Sequence, residues 1–205
     1  ARNRMALVQV PPRGLWGKSG PIAHTTAESW LGEPLTPDAP LTDLVLRYLA
    51  AFGPATVKDM QTWSGLTRLA EVVDRLRPCL VTFTGEDGRE LFDLPDAPRP
   101  AADHPAPPRL LYDFDNLLLS HADRSRVITE EHLAQRYGTR RPVPGWVLVD
   151  GFTGGDWQIE RDKDSAVLTI RTFAPPADGL AEEGERLLRF AHADASRHEV
   201  RVEQL

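Results

Sequence analysis

The hydrophobic positions between residues 41 and 93 predict three short helices and then two strands. Residues 41–52 form the first helix, with Thr42 as its expected cap and Gly53-Pro54 as its stop, because Gly tolerates a left-handed turn and Pro cannot continue a helix. The second helix begins at Thr56, where Asp59 three residues later completes a short-armed capping box, and Ser64-Gly65 ends it. The third starts at Thr67 and sets Leu69, Val72, Val73 and Leu76 on one face, with Pro78 beyond. Residues 80–84 and 89–93 alternate as strands around Gly85-Glu86-Asp87-Gly88, a hairpin turn. Helix, helix, helix, hairpin is the order of a winged helix, and the Gly65 joint suits a helix-turn-helix.

The pattern on either side is different. Residues 5–10 and 22–26 read as strands flanking a Gly-rich loop at 13–20, followed by a short helix at 26–32. Six of the 18 prolines lie in residues 95–108, a stiff connector that cannot be a helix interior or a central strand. Beyond it, strands are expected at 145–150, 155–160 and 165–173, turning first at Gly151 and Gly154-Gly155 and then at 161–164. Helices are expected at 129–136 and 180–195, and an edge strand at 200–202. The fold class predicted is α+β: a winged helix-turn-helix domain followed by a small C-terminal domain of antiparallel sheet plus helix. The domains expected are 1–40, the end of a preceding winged-helix unit; 41–95, the winged helix; 96–108, the linker; and 109–205, the C-terminal domain.

Composition narrows the function classes. The 205 residues are 41% hydrophobic and 26% charged, as in soluble globular proteins. A net charge of −6 argues against a generic polyanion binder while leaving room for a local basic face. The single cysteine, Cys79, excludes an intramolecular disulfide and is expected to be a buried, inert thiol. No apolar run approaches the ~18–20 residues that cross a bilayer, and no signal peptide is evident, so a cytoplasmic location is the default expectation.

Cations mark the candidate contacts with nucleic acid. Arg13, Trp16 and Lys18 lie on the first Gly-rich loop, where cations meet phosphate and an aromatic ring can stack; the loop lacks the spacing of a P-loop. Trp16 and Trp30 read equally well as core anchors. The third helix presents Arg68 and Arg75 outward, alongside Glu71 and Asp74, and the hairpin tip Glu86-Asp87 would repel phosphate. In residues 109–126, Asp113, Asp115 and Asn116 interrupt a leucine-rich run, and Arg124 and Arg126 follow. Asp115 and Asn116 read as ties for a tight backbone passage. The alternatives are a divalent-ion site with His121 and Asp123, or a general base at Asp115 with no evident nucleophile. Arg140, Arg141 and Arg161 are further cations of the C-terminal part.

The run Tyr112-Asp-Phe-Asp-Asn-Leu117 followed by Asp123-Arg-Ser-Arg126 resembles the signature of the AlkZ-like winged-helix DNA-binding family. Residues 10–17, 27–32, 48–56 and the Asp150-Gly to Asp156-Trp157 stretch resemble it too, in the same order. The resemblance implies tandem winged helices around a DNA channel, double-stranded DNA as partner, no metal or cofactor, and in characterised members excision of alkylated bases. Those members carry a Gln-x-Gln, His-x-Gln or Gln-x-Asp motif, and none of Gln9, Gln61, Gln135, Gln158 or Gln204 stands in one. The chain is therefore expected to be a DNA-binding portion, with Arg13, Lys18, Arg124 and Arg126 flooring the channel, and inactive unless upstream residues are restored. The alternative is a winged-helix transcription regulator or protein-interaction module without catalysis.

Overall fold

The computed structural model describes residues 5–15, 18–35, 39–112, 114–136 and 145–205. It divides into two compact units, Ala1–Leu44 and Val45–Leu205. In the first, β1 (Leu7–Gln9) pairs antiparallel with β2 (His24–Thr26), placing Val8 opposite Thr25. The Gln9 side-chain amide donates to the Ala23 carbonyl at 2.6 Å and closes the hairpin. Thr26 then caps α1 (Ala27–Leu31) by accepting from the Ser29 N–H at 3.2 Å. No residue of α1 is buried, and Trp30 is exposed, so the core-anchor reading of Trp30 does not hold.

The second unit opens with the expected helix–helix–helix–hairpin order. Helix α2 (Leu41–Phe52) buries Val45, Tyr48 and Leu49, one stripe at helical spacing. Thr42 is not its cap: the chain enters through Pro40, whose carbonyl accepts from Asp43 and Leu44, and Thr42 sits inside the first turn. Helix α3 (Val57–Ser64) has the capping box at Thr56 and Asp59, and Gly65 closes it in the left-handed conformation at φ 70°. Helix α4 (Leu69–Leu76) begins two residues later than Thr67 because Gln61 of α3 supplies its cap, accepting from the Leu69 N–H at 3.1 Å. Strands β3 (Val81–Thr84) and β4 (Glu90–Asp93) form the hairpin. Val45, Tyr48, Leu49, Ala55, Met60, Leu69, Val72, Val73 and Phe92 make one core beneath them.

Cys79 is exposed, against expectation, because the 3-10 turn Arg77–Cys79 carries the chain outward after α4.

The remainder is built on a five-stranded sheet: β5 (Arg109–Leu111), β6 (Gly145–Val149), β7 (Phe152–Asp162), β8 (Ser165–Thr172) and β9 (Arg197–Gln204), in that order. The short apolar run at 109–111 is a strand the sequence reading left unassigned. The sheet is mixed, not antiparallel throughout. Helix α6 (Leu180–Ala191) crosses over between β8 and β9, which returns the chain to the same end and makes that pair parallel. Gly154 and Gly155 lie inside β7 and not in a turn; Asp150 and Gly151, both at positive φ, make the reversal alone. A side chain at Gly155 would overlap the Arg171 carbonyl, so the close strand approach selects Gly there.

Strand β6 is buried on both faces. Val147 packs toward α6 with Leu168, Ile170, Leu180 and Leu188. Trp146 and Leu148 pack on the opposite side against Leu118, Val127 and Ile128. The segment around residues 118–128 therefore covers the sheet face that α6 leaves open. Helix α5 (Glu130–Arg136) follows it, started by the Thr129 hydroxyl, which accepts from the His132 N–H at 3.2 Å. Among the described residues no helix is long and apolar enough to cross a membrane.

Candidate nucleic-acid interface

The element that carries Arg124 and Arg126 is a turn fixed from several directions. Asp123 accepts from the Ser125 N–H at 3.0 Å and from the Arg89 guanidinium of the β3–β4 hairpin at 2.9 Å. The Arg124 carbonyl accepts from Val127 at 2.9 Å and from Ile128 at 2.7 Å. The Val127 carbonyl accepts from the N–H of Thr153 in β7 at 2.9 Å. A turn tied to both a hairpin and a sheet loses little further freedom when it meets a ligand.

A buried polar cluster joins this turn to the helices. Asp59, only 3% exposed, uses one carboxylate oxygen for Thr56, accepting from its N–H at 2.8 Å and its hydroxyl at 2.7 Å. The other oxygen accepts from the Ala122 N–H at 2.8 Å. Burial opposes ionisation of Asp59, but the hydrogen bonds from Thr56 and Ala122, with His121 nearby, outweigh it and lower its pKa. The Tyr48 hydroxyl donates to the Ser120 carbonyl at 2.7 Å, and burial raises its pKa, so it stays a donor. His121 donates from Nε2 to the Phe52 carbonyl at 3.0 Å, since a carbonyl can only accept. Burial first, and then the Arg126 charge, lower the His121 pKa. Tyr48, Phe52 and Trp63 surround the cluster with ring centroids 5.3–5.9 Å apart.

Arg124 and Arg126 are both exposed at the outside of the turn. Arg126 donates to the Pro54 carbonyl at 3.1 Å, and Arg124 reaches the Leu118 carbonyl at 3.5 Å. Neither makes an ion pair with another described residue, so both charges are free for an anion. Asp123, in contrast, is held ionised: the Ser125 hydrogen bonds and then Arg89 bring its pKa down to about 2.

The other predicted contacts are distributed differently. Arg68 occupies the N-cap position of α4 at φ 61°, not its outward face, while Arg75 is exposed in the last turn. Of their acidic neighbours, Asp74 faces Arg77 at 3.6 Å, and Arg77 is bidentate to Glu90 at 2.6 and 3.0 Å. At the hairpin tip, Asp87 is taken up by Arg89. Arg13 and Lys18 lie in the first unit, where Arg13 approaches the Gly20 carbonyl at 3.5 Å. Trp16, Asp113, Arg140 and Arg141 fall outside the described residues, and Arg161 pairs with Asp194 at 3.1 Å.

Asp115 is a backbone tie: its carboxylate accepts from the Leu117 N–H at 2.9 Å and starts the 3-10 turn Asn116–Leu118. The Asn116 carbonyl serves Ser120, and the Asn116 residue is exposed. Sequence reasoning missed Asp59, Tyr48 and Arg89 as parts of this region. Only the Thr56–Asp59 spacing was visible beforehand, and a capping box does not announce a second acceptor role.

A family model described as DNA glycosylase AlkZ-like matches residues 1–190. The solved structure of the DNA glycosylase AlkZ from Streptomyces sahachiroi superposes with a TM-score of 0.68 at 24% identity, covering 96% of this chain and 54% of that one. The chain thus spans about half the length of that relative. No curated protein matches.

Proposed function

Since the chain belongs to the AlkZ-like DNA glycosylase family, we propose that it is a DNA-binding portion of such a repair protein, gripping double-stranded DNA without carrying the reactive motif. The observation that carries this reading is the turn at residues 123–128, which holds Arg124 and Arg126 exposed and free of ion pairs on a rigid base. The helix–helix–helix–hairpin order from α2 to β4 supports a winged helix, with α4 and Arg75 as its groove-facing element. Arg13, Trp16 and Lys18 are proposed as separate phosphate contacts of the first unit, and Asp115 and Asn116 as the support that shapes the approach to the turn.

Phosphate contacts by arginine release counterions, so affinity should fall steeply as salt rises. Fluorescence anisotropy with a labelled duplex across a salt series tests the proposal: binding at low salt that weakens with a slope of several phosphates supports it. No binding at low salt overturns it. Base excision is proposed only for the chain joined to a segment bearing the missing Gln-x-Gln type of motif, and a glycosylase assay on alkylated duplex with and without that segment tests it. One observation favours a protein-interaction module instead: the hairpin cations Arg77 and Arg89 are already neutralised by Glu90, Asp87 and Asp123. That reading predicts no DNA binding at any salt.

A further inference from the structure

Tyr112 and Phe114 are the anomaly of the second unit. They are 64% and 66% exposed, yet they flank one position of a segment whose neighbours are core: Leu111 packs beneath them and Leu118 is 3% exposed. The two rings face each other with centroids 5.9 Å apart, tilted by 54°. Neither ring joins a core cluster among the described residues. The backbone that presents them is pinned. The Tyr112 carbonyl accepts from the Asp115 N–H, and the Asp115 carbonyl from the Leu118 N–H, each at 3.1 Å. Asp115 also holds Leu117. Exposure of two aromatic rings on a fixed double turn is not the result of slack chain.

The occupant is narrowed by size and by charge. A stable protein interface needs about 800 Å² from each partner, whereas two aromatic rings offer roughly 150–250 Å² each even when fully covered. A flat ring of similar size is the better fit. Arg124 reaches the Leu118 carbonyl, at the far end of the double turn that starts at Tyr112. At ~2 Å per residue for a 3-10 turn, roughly 12 Å separate the rings from that cation. This is about three to four nucleotides along a strand carrying one charge per ~3.4 Å. A polyanion seated on Arg124 and Arg126 would therefore bring its own bases to the rings.

Resting on the DNA-binding reading above and going beyond it, we propose that Tyr112 and Phe114 are a stacking platform for an unpaired nucleobase. The surface then favours DNA with an extrahelical base over a fully paired duplex. In a paired duplex each base face is already covered by its neighbours; an extrahelical base exposes one, and stacking on an aromatic ring does not depend on which base it is. Asp115 is a positioning residue in this arrangement, acting only through the backbone it holds.

The test uses two labelled duplexes of the same sequence, one fully paired and one with a single bulged 2-aminopurine. Binding is followed by anisotropy and the bulged base by its fluorescence. The expected result is a roughly five- to hundredfold tighter complex with the bulged duplex, and quenching of 2-aminopurine on binding. Tyr112→Ala combined with Phe114→Ala should abolish the preference and the quenching, and Tyr112→Phe should keep both. Both positions are exposed, so the fold does not depend on them, and circular dichroism checks this. Equal affinity for the two duplexes, or a preference that survives the double substitution, overturns the platform while leaving duplex binding intact. Absence of binding to either duplex overturns the DNA-binding reading and the platform together.

Discussion

Asp59 accepts a hydrogen bond from the backbone N–H of Ala122 at 2.8 Å, across 63 positions of sequence. The same carboxylate closes the capping box of α3. One side chain thus starts a helix and fixes the segment that leads into the Arg124–Arg126 turn. That double use explains why an acid stands in a site only 3% exposed: its oxygens are occupied by three donors.

Asp59→Ala removes the cap and leaves the Ala122 N–H without its acceptor. The expected loss is about 2–4 kcal/mol, from roughly 1 for the cap and 1–3 for the orphaned buried donor. Urea unfolding measures it. Because folding lowers the Asp59 pKa, its contribution is complete above the unfolded value of about 3.9 and is lost as pH falls through the folded value. The variant should lack that part of the acid sensitivity.

Tyr48→Phe keeps the ring against Phe52 and Trp63 but deletes the donor to the Ser120 carbonyl. The expected cost is about 1–1.5 kcal/mol. Amide exchange near residues 120–122 should quicken with the loss of that tie, whereas exchange in the β7–β8 pair should not change.

His121 gives a second pH dependence. Its folded pKa is lowered, so the unfolded chain takes up a proton first. Stability is therefore full above about pH 6.5 and declines as pH falls from there toward the folded value. His121→Gln, which can still donate to the Phe52 carbonyl, should flatten this part of the unfolding profile. Arg126→Ala should raise the His121 pKa, since the guanidinium charge is its second depressing cause; a proton NMR titration reads it directly.

Arg124→Ala with Arg126→Ala should weaken duplex binding uniformly across sequences and reduce the slope of log affinity against log salt by about 2, one per phosphate lost. Arg68→Ala should change it less, since Arg68 sits at the start of α4 and not on its outward face. A slope left intact by the double substitution would move the phosphate contacts elsewhere.

Much of the local structure was legible beforehand, because local structure is written in periodicity and caps. The apolar spacing of Leu69, Val72 and Val73, the Thr56–Asp59 box and the Gly85–Gly88 turn each depend on residues within four positions of one another. The errors came where the deciding partner is distant. Helix α4 starts at Leu69 because Gln61 caps it, and β9 runs parallel to β8 because α6 must cross the sheet first.

The sequence by itself determined the helix–helix–helix–hairpin order, the family resemblance, and the presence of cations at Arg124 and Arg126. The tertiary structure alone decided which cations are spent and which are free. Hairpin Arg89 is neutralised by Asp123, while Arg124 and Arg126 project from the turn that the same Asp123 holds. Charge pairing depends on distances between residues far apart in the chain, and the order of residues along the chain does not encode those distances in any local pattern.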